Sequence, residues 1–125
     1  MIAELFHYAF CPRSRALRLA LGELKYEVTY REETPRTWRP EVMSLNPSGE
    51  LPILLPLYGK PISGFYAISE YLDEEKNAKE IEDHTFKLFP GTPIDRAEIR
   101  RLVDWFMNKL DREVTSELLE IKVLS

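Results

Sequence analysis

The chain has 125 residues, enough for one compact domain and part of a second, and its 44% hydrophobic and 30% charged residues belong to a folded globular protein, not a disordered one. It carries 17 basic and 21 acidic side chains, a formal net charge of −4, and no basic run to track a phosphate backbone, so nucleic acid is not expected as a partner. One cysteine excludes an internal disulfide, no apolar run approaches the roughly 20 residues that span a bilayer, and the N-terminus lacks a leader pattern; the expectation is a cytoplasmic protein without membrane contact.

Residues 2–8, IAELFHY, form a short apolar run suited to a buried strand, closed by the Cys11-Pro12 turn. From Ser14 the positions Ala16, Leu17, Leu19, Ala20, Leu21 and Leu24 supply the apolar face of a helix, with Ser14 as a candidate N-cap and Gly22 late in the helix. Tyr26, Val28 and Tyr30 then alternate with Glu27 and Thr29 in the period of a half-buried strand. The result is a β-α-β unit. Residues 31–50 hold three prolines, a glycine and several turn formers, which predicts a long irregular connection with one helical turn near residues 41–45. LPILLPLYGKPIS, residues 51–63, reads as an antiparallel hairpin turning at Tyr58-Gly59-Lys60, and YAISEYLDEE as a second helix.

Periodicity is lost over residues 76–93, where Pro90, Gly91 and Pro93 mark a linker. Beyond it Ile99, Leu102, Val103, Phe106, Leu110, Val114, Leu118 and Ile121 recur at three and four residues, predicting one long amphipathic helix or two abutting ones. Trp105 lies about 100° around that helix from Phe106, as interdomain packing or as part of a dimer interface or pocket wall. The chain ends at Ser125 just after this helix and reads as a fragment of a longer protein.

The order β-α-β, long loop, hairpin, helix is thioredoxin-like, and with CPRS at 11–14, NPSGELPIL at 46–54 and AISEYLDE at 67–74 the chain resembles the glutathione S-transferase superfamily. The resemblance implies an α/β thioredoxin-like N-terminal domain at 1–77, a linker at 78–92, and the first segment of an all-α C-terminal domain at 93–125. It also implies a cis bond before Pro52, with the Leu51 backbone facing the cysteinyl part of glutathione; a plain strand-initiating proline is the other reading.

Cys11 aligns with the catalytic cysteine or serine of several transferase classes, at a helix N-terminus, where dipole and free amides stabilise a thiolate in general. Arg13 and Arg15 add positive charge to that segment, and the implied chemistry is thiol transfer through a mixed disulfide or conjugation of glutathione to an electrophile. The competing reading is a small buried side chain in a tight turn. Ser14 is either a hydroxyl aimed at the site or the cap, while His7 and Tyr8 at the strand end either donate a hydrogen bond or pack.

Where such transferases read Glu-Ser-x-Ala-Ile to hold the γ-glutamyl end of glutathione, this chain reads Gly64-Phe65-Tyr66-Ala67-Ile68. The helix N-terminus and its amide donors remain to attract the carboxylate. Two lost hydrogen bonds to a charged group, at about 1.5–3 kcal/mol each, weaken binding by about two orders of magnitude or more. Residues 97–123 and HYAFCPRSR are also similar to the α-proteobacterial, FzlA-like group of transferase-fold proteins, which bind the division protein FtsZ as dimers. In TPRTWRPE, Trp38 between Arg36 and Arg39 has the composition of a binding hot spot, or of a lid folded on the core. One cysteine with His7 and His84 makes no convincing metal ligand set.

Overall fold

The structure is a computed structural model that describes residues 3–34, 39–78 and 87–122. Its elements run β1 (Ala3–His7), α1 (Pro12–Glu23), β2 (Val28–Glu32), α2 (Pro40–Leu45), β3 (Ile53–Leu55), β4 (Ile62–Ser63), α3 (Phe65–Ala78), α4 (Pro93–Leu110), a π-helical turn (Asp111–Thr115) and α5 (Ser116–Lys122). The four strands form one sheet in the order β2-β1-β3-β4. β1 runs parallel to β2 and antiparallel to β3, and β3 and β4 form the expected antiparallel hairpin. This is the α/β, thioredoxin-like arrangement followed by a helical region.

Alternation along β1 and β3 builds both layers of the core. Leu5 and Leu54, paired across the sheet, face α1 and α3 and pack with Leu17, Leu21, Ile68 and Leu72. Phe6 and Ile53, the next pair, point to the other face and are covered by Val42 and Leu45 of α2. Successive side chains on a strand alternate faces, so one apolar run serves two layers. Each such buried side chain contributes roughly 1.5–3 kcal/mol relative to exposure.

Two boundaries differ from the sequence expectation. α1 begins at Pro12, two residues earlier than expected, because proline's missing N–H costs nothing in a first helical turn, and Cys11 is the N-cap in place of Ser14. At its far end Tyr26 N–H bonds back to the Leu21 carbonyl, with Lys25 in the left-handed region at φ 60°. β2 starts at Val28, with Tyr26 left outside the strand to pack against the α1–α3 core.

The long amphipathic stripe divides between two faces. Val103 and Met107 of α4 pack against the core beneath, whereas Leu102, Phe106, Leu110, Val114 and Leu118 are exposed among the described residues. Trp105 and Phe106 stack edge to face, centroids 4.9 Å apart, both about half exposed. Phe106, expected on the core stripe, is thus not buried. Polar contacts with α3 accompany the packing of Val103 and Met107. Arg96 reaches Asp73 (2.7 Å), Arg100 pairs with Glu70 and lies over the Phe89 ring at 4.7 Å, and the Tyr66 hydroxyl donates to Asp104.

Candidate functional site

β1 ends at His7, and three turn residues later the chain reaches Cys11 and enters α1, so Cys11 lies beyond the C-terminal end of an interior strand, at a helix N-terminus. Its backbone is extended (φ −76°, ψ 122°), its N–H bonds to the Tyr8 carbonyl at 3.1 Å, and its Sγ accepts the Ser14 N–H at 3.5 Å. The thiol is partly exposed. Ser14 is fully buried, and its Oγ accepts the Tyr8 N–H at 3.3 Å, which fastens the turn.

Opposite Cys11 stands the segment before β3. Asn46 organises it: its side-chain oxygen accepts both the N–H and the hydroxyl of Ser48, and its amide donates to the Glu50 carbonyl at 3.1 Å. Gly49 takes φ 72°, a conformation that suits glycine at this tight turn. The Leu51–Pro52 bond is cis, as the resemblance implies, and the Pro52 carbonyl accepts the Gly64 N–H at 3.0 Å, tying this segment to the start of α3. Gly64 itself has φ 96°, and Phe65 directs its ring into the core as well as lining the site.

Between these walls lies a cleft of about 670 Å³ that brings together Cys11, Leu51, Gly64 and Phe65, with Glu50 and Ser63 at its edge. Ser14 and Pro52 do not line it. Asp111 and Thr115 of the π-helical turn close the cleft on the helical side. There Arg13 spans the two units, donating to Asn108 Oδ1 at 2.9 Å and pairing with Asp111 at 3.2 Å. Insertions of this kind in helices recur at functional sites.

Tyr8 was legible only as a strand-end aromatic, and the structure gives it a larger part. Its side chain is buried and lines the cleft, yet its hydroxyl has no hydrogen-bond partner among the described residues. Burial, reinforced by the nearby Glu32 carboxylate, holds its pKa above 10.0, so the phenol keeps its proton and can donate. An unsatisfied buried hydroxyl costs about 1–3 kcal/mol. Nothing in the sequence marks a hydroxyl as unpartnered; that is a property of the packing. Arg13 and Asp111 were equally invisible as a pair, since they meet across the two units.

His7, at the strand end, is turned away from this chemistry. Its Nδ1 accepts from Arg18 Nη1 at 2.9 Å, so the ring proton belongs on Nε2, and burial followed by the Arg18 charge lowers its pKa below 6.5. Among the described residues no group of His, Cys, Asp and Glu is placed to hold a metal ion; His84 lies outside them. No described helix is long and apolar enough to cross a membrane.

The expected partner-binding loop is described at one end. Trp38 and Arg36 lie outside the described residues. Arg39 makes a bidentate contact with Glu33, a carboxylate 4% exposed, through Nε at 3.0 and 3.2 Å and through Nη2. That pairing anchors the loop where it rejoins the fold.

The comparisons with known proteins agree with this fold. Residues 5–80 match the family described as glutathione S-transferase, N-terminal domain. The chain is 37% identical over 124 residues to FtsZ-localized protein A of Caulobacter vibrioides, covering 95% of this chain and 50% of that protein. Among solved structures, a glutathione S-transferase from Sinorhizobium meliloti superposes with a TM-score of 0.86 at 35% identity, over 99% of this chain and 52% of that one. FzlA from C. crescentus does so with a TM-score of 0.79 at 34% identity, over 98% of this chain and 52% of that one. The chain thus spans about half the length of these relatives. By residues 5–80 and the thioredoxin-like fold they form, it belongs to the glutathione S-transferase N-terminal domain family.

Proposed function

We propose that the cleft at Cys11 takes a small thiol of the glutathione class and carries thiol transfer through a mixed disulfide. The observation that carries this reading is the unpartnered Tyr8 hydroxyl, buried in a cleft that Cys11 shares with the Leu51 backbone. The cysteinyl end of glutathione finds a phenol donor, a helix N-terminus and an extended backbone edge. Its γ-glutamyl end finds only the α3 N-terminus, since Gly64 brings no side chain and the Phe65 ring is committed to the core. Binding is therefore weaker than with a Glu-Ser pair.

The chemistry balances with thiols and disulfides alone. The Cys11 thiolate attacks a glutathionyl mixed disulfide, forms a Cys11–glutathione bond and expels the substrate thiolate, which takes a proton from solvent. A second glutathione thiolate then attacks the sulfur of the bound glutathionyl group, releasing glutathione disulfide and restoring the Cys11 thiolate. Deglutathionylation of a model peptide, followed by mass spectrometry, tests it. Turnover should be lost in Cys11→Ser, and a transient adduct of one glutathionyl group should sit on Cys11. Equal turnover by Cys11→Ser would refute the assignment.

A second reading rests on the likeness to FtsZ-localized protein A over nearly the whole chain. On it the same scaffold serves as a cytoplasmic homodimer that binds FtsZ filaments in cell division, with Trp38, Arg36 and Arg39 in contact. Of these three, Arg39 is held to the buried Glu33 carboxylate. Co-sedimentation with FtsZ tests this reading: Trp38→Ala and Arg36→Ala should each reduce the pelleted fraction severalfold, and unchanged pelleting by both would rule the loop out.

A further inference from the structure

We propose that Arg13 is a positioning residue that limits the size of what reaches Cys11, by holding the helical wall of the cleft against α1. The role rests on the reading of Cys11 as the reacting group, and it narrows the substrates of that site to disulfides and electrophiles with a slender body.

Five side chains form one run of contacts across the two units. Asp104, Asn108 and Asp111, spaced by four and three residues, stand on one face of the helix that runs from α4 into the π-helical turn. From the thioredoxin-like side, the Tyr66 hydroxyl near the start of α3 donates to Asp104, which also accepts from the Asn108 amide at 3.1 Å. Asn108 turns its side-chain oxygen to Arg13 Nη2 at 2.9 Å, and Arg13 Nη1 pairs with Asp111 Oδ2 at 3.2 Å. The planar guanidinium thus grips two positions about one helical turn apart. Burial and the Asp104 carboxylate push the Tyr66 phenol up to about 12, so it stays a neutral donor at physiological pH.

These contacts lie at the cleft itself. Arg13, Tyr66 and Asp111 line it together with Cys11, whereas Asn108 does not. Arg13 follows Cys11 by two residues in the first turn of α1, so the same helix end carries the thiol and the grip. Arg96 and Arg100 hold α4 nearer its start, and Tyr66 and Arg13 hold it beside the cleft. The π-helical turn is fastened internally, because the Asp111 carbonyl accepts both the N–H of Ser116 and its hydroxyl, the latter at 2.8 Å. The distance between this turn and Cys11 is therefore set by the contacts of Arg13. A bulky reagent reacts only through states in which they are broken, and their strength fixes how populated those states are.

Cys11 is the one cysteine of the chain, so uptake of a maleimide reports on it alone. The test measures modification rates with N-ethylmaleimide and with N-(1-pyrenyl)maleimide, neutral reagents that share a reacting group and differ in bulk. Their ratio cancels any change in the thiolate fraction of Cys11. Asn108→Leu removes an oxygen that Arg13 holds without altering the residues that line the cleft. It should raise the pyrenyl rate relative to the ethyl rate about tenfold, the weight of one hydrogen bond to a charged group. Arg13→Met should do at least as much, and since Asp111 is 45% exposed its loss strands no charge in the interior. Arg15→Met removes the neighbouring charge at an exposed position and should leave the ratio where it is. An unchanged ratio in either of the first two variants, or an equal shift in Arg15→Met, overturns the proposal. Alkylation needs neither glutathione nor turnover, so a failure of thiol transfer is read separately, from turnover by Cys11→Ser.

Discussion

Tyr8 and Cys11 stand on the same turn and use their polar atoms differently. Cys11 Sγ is engaged by the Ser14 amide, whereas the Tyr8 hydroxyl has nothing among the described residues to bond. Tyr8→Phe removes only that oxygen, so it should leave the melting temperature unchanged or raise it, relieving up to about 1–3 kcal/mol of unmet desolvation, while weakening a thiol ligand. A structural hydroxyl would give the opposite pair of results in thermal unfolding and binding. His7 makes a pH prediction. Its folded pKa lies below 6.5, so the folded state disfavours the protonated ring; the stability it contributes is full above about pH 6.5 and is lost as pH falls from there through the folded value. Urea unfolding at a series of pH values should show a decline below about pH 6.5 that is reduced in His7→Gln. Arg39 calls for caution in design: Arg39→Ala strips the buried Glu33 of its cation and should destabilise the fold, so Arg36 and Trp38 are the cleaner probes of the loop.

Elements were legible in proportion to how far local pattern decides them. The apolar run in residues 2–8 and the turn signal within 51–63 marked β1, β3 and β4, and the turn formers of 31–50 marked an irregular connection, because those signals are local. The roll of α4 was not legible. Its apolar stripe is wide enough to face either way, and the choice is made by Asp73, Glu70 and Tyr66, some 23 to 38 positions earlier in the chain. Asp73 is the firmest of these: 1% exposed, it accepts the Phe89 N–H at 3.3 Å and the Arg96 guanidinium at 2.7 Å. Arg96→Leu, which leaves that carboxylate buried without its cation, should cost about 3–5 kcal/mol in urea unfolding, and adding Asp73→Leu should recover part of the loss. Strict additivity of the two substitutions would show that α4 is not held by this pair. The π-helical turn at Asp111–Thr115 carries no sequence mark, yet it supplies one wall of the cleft.

At the scale of the whole molecule, family and fold were readable from CPRS and NPSGELPIL, which sit at junctions between elements, and from AISEYLDE, which lies within α3. The site was readable in part. Cys11 and Leu51 meet at one cleft with Gly64 and Phe65, but Ser14 is spent on the turn, and Tyr8 and Arg13 owe their positions to packing. The central claim is that this cleft still receives a glutathione-class thiol without a Glu-Ser pair. Calorimetric titration with reduced glutathione tests it most directly. The account predicts saturable one-to-one binding that weakens about tenfold in Tyr8→Phe, the cost of one hydrogen bond. Absence of any binding heat at millimolar glutathione would contradict it and leave the scaffold to a protein partner.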